Sequence, residues 1–255
     1  MNVLYPIISV IIVSLVSVIF TIPFFIKKKI SNKILLFLLS ISVGVLLATV
    51  FMDFLPEAVS HNYTLGVALY ILLGFLVMFL LEKFVHSQHS RKCEKKDCGH
   101  GHAYNLAPVN LIGDGIHNFI DGLVIAGSYA VNVTLGITAT ISIIFHEIPQ
   151  EIADFGILLY SGMSKKKALM FNFLSAATAI IGTGVGLILV NRLHGFNEFV
   201  IPFAAGNFLY IAASNLVPQL HRHCKLKDTL IHIFAIILGI GIITLVTIYG
   251  PAHGH

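Results

Sequence analysis

Two short stretches carry groups able to do chemistry in an otherwise apolar chain. One reads Gly113-Asp114-Gly115-Ile116-His117-Asn118-Phe119-Ile120-Asp121-Gly122. The other reads His146-Glu147-Ile148-Pro149-Gln150-Glu151, with Asp154 one turn further on. At 100° per residue, Asp114, His117, Asn118 and Asp121 share one face of a helix, as do His146, Glu147, Gln150, Glu151 and Asp154. Imidazole, carboxylate and carboxamide together suit zinc and its transition-metal neighbours. Calcium and magnesium prefer all-oxygen shells. A lone His or Asn in such a segment more often just closes an interhelical hydrogen bond. Two coincident His/acid faces point instead to a bound cation.

The surroundings make these groups expensive. The chain has 255 residues, 56% of them hydrophobic and 11% charged, with mean hydropathy +0.89. A soluble domain carries about a quarter charged residues. Asp53, Glu57, Asp114, Asp121, Glu147, Glu151 and Asp154 fall inside apolar runs, and no Lys or Arg lies deep in any of them. A buried carboxylate without a basic partner must be protonated or must hold a cation.

Eight apolar runs of bilayer length can be drawn, at about 3–26, 34–60, 64–86, 106–131, 135–162, 166–190, 199–220 and 228–250. The expected fold is an all-α integral membrane protein, a single eight-helix transmembrane bundle over 1–255. The first run is too long and too weakly basic at its start for a signal peptide, so it reads as the first span. If the loops alternate sides, all but Arg192 of the 16 basic residues fall on one side. The positive-inside rule makes that side cytoplasmic and puts both termini outside.

Spans four and five are joined by about three residues, so they must be antiparallel neighbours whose polar faces meet. Pro149 has no N–H for the Phe145 carbonyl, which predicts a kink and a freed carbonyl able to line a cavity. Spans two and seven share a pattern. Gly44, Asp53, Pro56 and Glu57 match Gly206, Asn215, Pro218 and Gln219 at identical offsets. In oppositely directed spans this is an inverted repeat, 3+2+3 helices in all. Asp53 then reads as part of an acidic entrance.

The segment at 87–105 has the composition of a flexible hydrated linker. With His86 beside it, the segment supplies His89, Cys93, Cys98, His100 and His102, an accessory metal-collecting loop. Three cysteines, Cys93, Cys98 and Cys224, do not form a disulfide scaffold.

The paired motifs Asp114-Gly-Ile-His117-Asn118-Phe-Ile-Asp121-Gly122 and His146-Glu147-Ile-Pro149-Gln150-Glu151 resemble the signature of the Zrt/Irt-like (ZIP) metal-transporter family, in a prokaryotic-type member. The resemblance covers essentially the whole chain. It implies import of zinc (Zn2+), with iron (Fe2+), manganese (Mn2+) and cadmium (Cd2+) as further substrates, across the plasma (inner) membrane into the cytoplasm. It also implies a homodimer in the lipid bilayer, no organic cofactor and no nucleic-acid partner. It implies an elevator movement of spans one, four, five and six past spans two, three, seven and eight. His117, His146 and Gln150 are implied as the primary metal ligands, with Asn118, Asp121 and Glu147 on a second side. Glu151, Asp114, Asp53 and Asp154 are pathway candidates. Gln150 stands where the animal members with the most similar span five have His. Asn215 and Gln219 stand where many members are acidic.

Three other functions compete. An intramembrane zinc protease needs His-Glu-x-x-His, and Gln150 replaces its second His, so no enzymatic activity is expected. An exporter of the cation-diffusion type would have six spans and a cytoplasmic C-terminal domain. A metal-selective channel would share the site and differ in lacking saturation.

Overall fold

The computed structural model describes residues 3–25, 32–60, 64–93, 107–160, 162–221 and 226–249. Its regular elements there are all helical. They are α1 (Leu4–Phe25), α2 (Asn32–Ala48, continued by Thr49–Phe54 and Leu55–Val59), α3 (Leu65–Cys93), α4 (Ala107–Val131), α5 (Val133–Tyr160), α6 (Lys165–Ala176 and Thr178–Arg192), α7 (Phe196–Tyr210, continued by Ile211–Leu216 and Val217–Leu220) and α8 (Leu226–Tyr249).

Six of them, α1, α2, α3, α6, α7 and α8, are long and apolar enough to cross a membrane. The other two, α4 and α5, have 25 and 28 residues, about 37 and 42 Å of helix at 1.5 Å per residue. Length does not limit them; the acids, amides and histidines they carry lower their hydropathy. Large apolar side chains face outward instead, among them Leu65, Leu69, Leu72, Leu76 and Leu80 on α3 and Phe234, Ile237 and Leu245 on α8. A water-soluble monomer rarely exposes so continuous an apolar surface.

The expected linker differs in its first part. Helix α3 runs on to Cys93, because Glu82 to Cys93 contains neither Gly nor Pro and is rich in good helix formers. The backbone of His86, His89 and Cys93 is therefore helical. Cys98, His100, His102 and Cys224 lie outside the described residues.

The internal repeat has a structural counterpart. Both α2 and α7 widen to a π-helical stretch, Thr49–Phe54 and Ile211–Leu216. Each begins five residues past its matched glycine, holds Asp53 or Asn215, and ends two residues before Pro56 or Pro218. Wide turns of this kind recur at functional sites. The matched glycines are also crossing points. A Cβ on Gly44 would lie 2.1 Å from the Ile236 carbonyl oxygen of α8, and one on Gly206 would lie 1.8 Å from the Ile71 carbonyl oxygen of α3.

Directions follow from contacts. Thr247 hydrogen-bonds Asp53 while Gly44 meets Ile236, so α2 and α8 run the same way. Tyr70 packs on Phe199 and Phe79 on Tyr210, so α3 and α7 also run the same way. Asn32–Ala48 of α2 packs on Val217–Leu220, while Thr49–Phe54 and Leu55–Val59 pack on Phe196–Tyr210, so α7 opposes α2.

A third close pair positions the site. Gly122 of α4 and Gly182 of α6 let the backbones touch, since Cβ atoms there would lie 2.1 Å from the Ala179 carbonyl oxygen and 2.0 Å from that of Phe119. Thr183 Oγ1 donates to the Gly122 carbonyl at 3.1 Å, and Thr178 Oγ1 to that of Gly115 at 2.6 Å. Gly122→Ala should therefore push α6 away and cost about 1–3 kcal/mol, the range for overpacking. Gly156→Ala, with nothing within 4 Å of its added carbon, should not. Thermal melts of the two purified variants against the parent check this pair.

Candidate metal centre

Asn132 alone separates α4 from α5, and its Oδ1 accepts from the Leu135 amide at 2.7 Å. That side-chain cap satisfies a donor at the start of α5 and folds the two helices back on each other. The faces seen in the sequence then meet in the bundle interior. His117, Asp121, His146 and Glu147 are each at most 2% exposed.

Four ligand atoms converge there. The Nε2 atoms of His117 and His146 are 3.2 Å apart. His117 Nε2 is 3.2 Å from Glu147 Oε1 and 3.6 Å from Asp121 Oδ2. His146 Nε2 is 3.1 Å from Asp121 Oδ2 and 3.6 Å from Glu147 Oε1. A tetrahedral zinc with bonds of about 2.0–2.1 Å has ligand–ligand edges of about 3.3–3.4 Å. The five distances straddle that value. His146 Nδ1 lies 2.9 Å from the Ser142 carbonyl oxygen. A carbonyl only accepts, so Nδ1 donates to it, and Nε2 is the ring nitrogen that faces the centre.

A second group adjoins the first, in which Asp114, Glu147 and Glu151 can each offer an oxygen within 4.8 Å of the others. Asp121, one turn from His117, lies with the histidines. Gln150 and Asn118 donate to Asp114 Oδ1, at 3.2 and 3.1 Å.

Asp154 and Asp53 belong to neither group. Asp154 Oδ1 accepts from Asn110 Nδ2 at 3.0 Å. Asp53 Oδ1 accepts from Thr247 Oγ1 at 2.9 Å.

Several polar partners were not anticipated from sequence. Asn172 of α6 donates to Glu151 Oε2 through a short contact; it is the single amide in an apolar run, which was the available signal. The carbonyl freed by Pro149 does not line a cavity. It accepts from Ser42 Oγ of α2 at 2.5 Å, and α5 continues through the proline as one helix. One turn along, the hydroxyls of Thr49 and Ser142 meet in a short contact. The face of His146 is covered by Phe208 of α7, 5.5 Å between ring centroids, and Phe208 packs on Phe54 at 5.4 Å.

The sequence has known relatives. Residues 3–109 and 86–247 match the family described as ZIP Zinc transporter. The chain belongs to the ZIP zinc transporter family. Among curated ZIP relatives, it is 34% identical over 163 residues to Zinc transporter ZIP10 of Danio rerio, covering 61% of this chain and 19% of that protein. It is 39% identical over 147 residues to Zinc transporter zipt-7.2 of Caenorhabditis elegans, covering 56% and 32%. It is 39% identical over 137 residues to IAA-alanine resistance protein 1 of Arabidopsis thaliana, covering 52% and 29%. The chain thus spans less than a third of the length of each. All three are eukaryotic, so they lend no support to a prokaryotic-type assignment within the ZIP family.

Ser42→Ala would leave the Phe145 carbonyl without its side-chain donor, beside His146. The expected loss is about 1–3 kcal/mol of stability, the penalty for a buried unsatisfied acceptor. A thermal melt checks it, with Ser40→Ala as the comparison, since Ser40 Oγ only donates back to Leu36 in its own helix.

Proposed function

We propose that this chain carries divalent transition-metal ions across a membrane, zinc foremost, with His117, Asp121, His146 and Glu147 holding the ion in transit. The observation that carries this reading is the set of five ligand–ligand distances between 3.1 and 3.6 Å, matching the edges of a zinc tetrahedron. Membership of the ZIP family and the names of the two zinc-transporter relatives support zinc. Iron, manganese and cadmium are further substrates of the proposal.

In this reading α4 and α5 also cross the bilayer, giving eight spans with both termini outside. The basic loops support that orientation, because all but Arg192 of the Lys and Arg residues then face the cytoplasm. Import across the plasma membrane by a homodimer belongs to the same proposal.

The packing supports alternating access. Helices α4 and α6, and α1 and α5, pair closely, as do α2 and α8, and α3 and α7. Two groups of four result, α1/α4/α5/α6 and α2/α3/α7/α8. The metal ligands all sit on the first group. Movement of one group past the other would expose the same centre to each side in turn. A saturable carrier is therefore favoured over a channel. A protease is disfavoured because Gln150, in place of the second His, is engaged with Asp114.

His117→Ala and His146→Ala should each reduce radiozinc uptake into proteoliposomes to background while leaving expression and helicity intact. Uptake equal to the parent in both variants would sink the site assignment.

A further inference from the structure

One buried amide stands apart from the metal ligands and makes no side-chain hydrogen bond. Asn207 of α7 is 1% exposed, and both its Nδ2 and its Oδ1 lack a partner. Asn118, Asn172 and Asn197 each leave only Oδ1 unmatched. An amide offers two donor and two acceptor positions, and leaving all of them unmet in an apolar interior is costly. A group kept at that penalty calls for a reason.

The geometry of α7 shows what the amide faces. Gly206 turns to Ile71 of α3, and Phe208 turns to His146 of α5. Asn207 lies between them, about 100° from each. Val200, seven residues earlier, points within about 20° of the same direction and packs on Gly127 of α4. The amide therefore faces α4. These two helices are antiparallel, because Gly127 meets Val200 while Asp121 meets His146, which Phe208 covers. Seven residues further along α7 and seven back along α4, Asn207 comes level with Ile120. Ile120, Val124, Val200 and Ala204 share one apolar cluster, so an apolar strip of α4 lies opposite the amide.

Polar groups of α4 flank that strip. His117 Nδ1, Asn118 Oδ1 and Asp121 Oδ1 are buried without a hydrogen bond, all within three residues of Ile120. Helix α4 belongs to the group that carries the metal ligands, and α7 to the group that does not. Any displacement of one past the other changes which residue of α4 stands opposite Asn207. We propose that Asn207 is a positioning residue for transport, its amide matched by a polar group of α4 in the alternate arrangement of the two groups. It favours that arrangement over this one and so speeds the conformational step, leaving the binding of the ion to the histidine centre. The inference rests on the alternating-access reading above.

Asn207→Ser and Asn207→Ala leave the same space and differ by one hydroxyl, which only Ser can use in the alternate arrangement. The test compares both with the full-length parent by thermal melt, by zinc bound per chain in detergent, and by radiozinc uptake into proteoliposomes. Opposite orders are expected. The Ala variant should melt no lower than the Ser variant, yet take up zinc about tenfold more slowly, the equivalent of one hydrogen bond lost. Zinc binding should be the same in all three. Equal uptake by the two variants overturns the proposal and makes the amide a packing fault. A Ser variant that melts above the Ala variant overturns it too, since the position would then be matched already in this conformation. Loss of zinc binding in the Ala variant overturns it by placing Asn207 among the ligands. Should either variant fail to fold, Asn207→Thr and Asn207→Val repeat the comparison at larger volume and are read in the same way. A parent without zinc uptake defeats the transport reading and this inference with it. A parent that transports, beside equal variants, defeats this inference alone.

Discussion

The structure depends on negative charge that the chain itself does not neutralise. Ionised carboxylates removed from water carry a penalty of several kcal/mol each unless paired. Among the described residues the interior supplies imidazoles and carboxamides, with no buried ammonium or guanidinium. Amides share out some oxygens, as Asn110 does for Asp154 and Asn172 for Glu151. The remainder point at one another. An apolar protein can tolerate this arrangement if positive charge reaches it from outside, and under the proposed function a metal ion in transit is that charge.

The helix pairing serves the same end. Glycine crossings bring α4 against α6 and α2 against α8 in backbone contact. Between the two groups an apolar core is shared, with Val124, Ile125 and Ile143 of α4 and α5 in one buried cluster with Val50, Phe54, Val200 and Phe208 of α2 and α7, and polar contacts add to it. Ser42 and Thr49 of α2 reach Phe145 and Ser142 of α5 through single hydroxyls, and Phe208 of α7 lies flat-to-edge against His146. A hydroxyl can exchange one acceptor for another: Ser42 Oγ also lies 2.8 Å from the Leu38 carbonyl of its own helix. Breaking that contact keeps the Ser42 proton satisfied but leaves the Phe145 carbonyl without its side-chain donor.

Much of this was legible in the residues. The two polar faces, their meeting across a minimal connection, and the paired segments around Asp53 and Asn215 all follow from helical periodicity and offset. The repeat acquired physical content only in three dimensions, because a π-helical turn leaves no mark in composition. The partition of ligands was not legible either. Helical angle places Gln150 and Asn118 on the site face, but angle does not say whether an amide turns towards a metal ligand or towards Asp114. Nor does it find Asn172, which comes from a helix distant in sequence. Pro149 illustrates the same limit: the freed carbonyl is deducible, and the Ser42 hydroxyl that takes it is not.

Glu147 ties these strands together. It follows His146 on the chain, stands 3.2 Å from His117, and belongs also to the group with Asp114 and Glu151. Under the proposed function that places Glu147 where the two polar faces meet, with imidazole on one side and carboxylate and carboxamide on the other. Gln150 belongs to the second side, where its amide donates to Asp114 Oδ1 at 3.2 Å. A histidine there would have put a third imidazole beside the first two; the amide instead satisfies a buried carboxylate oxygen that has no basic partner.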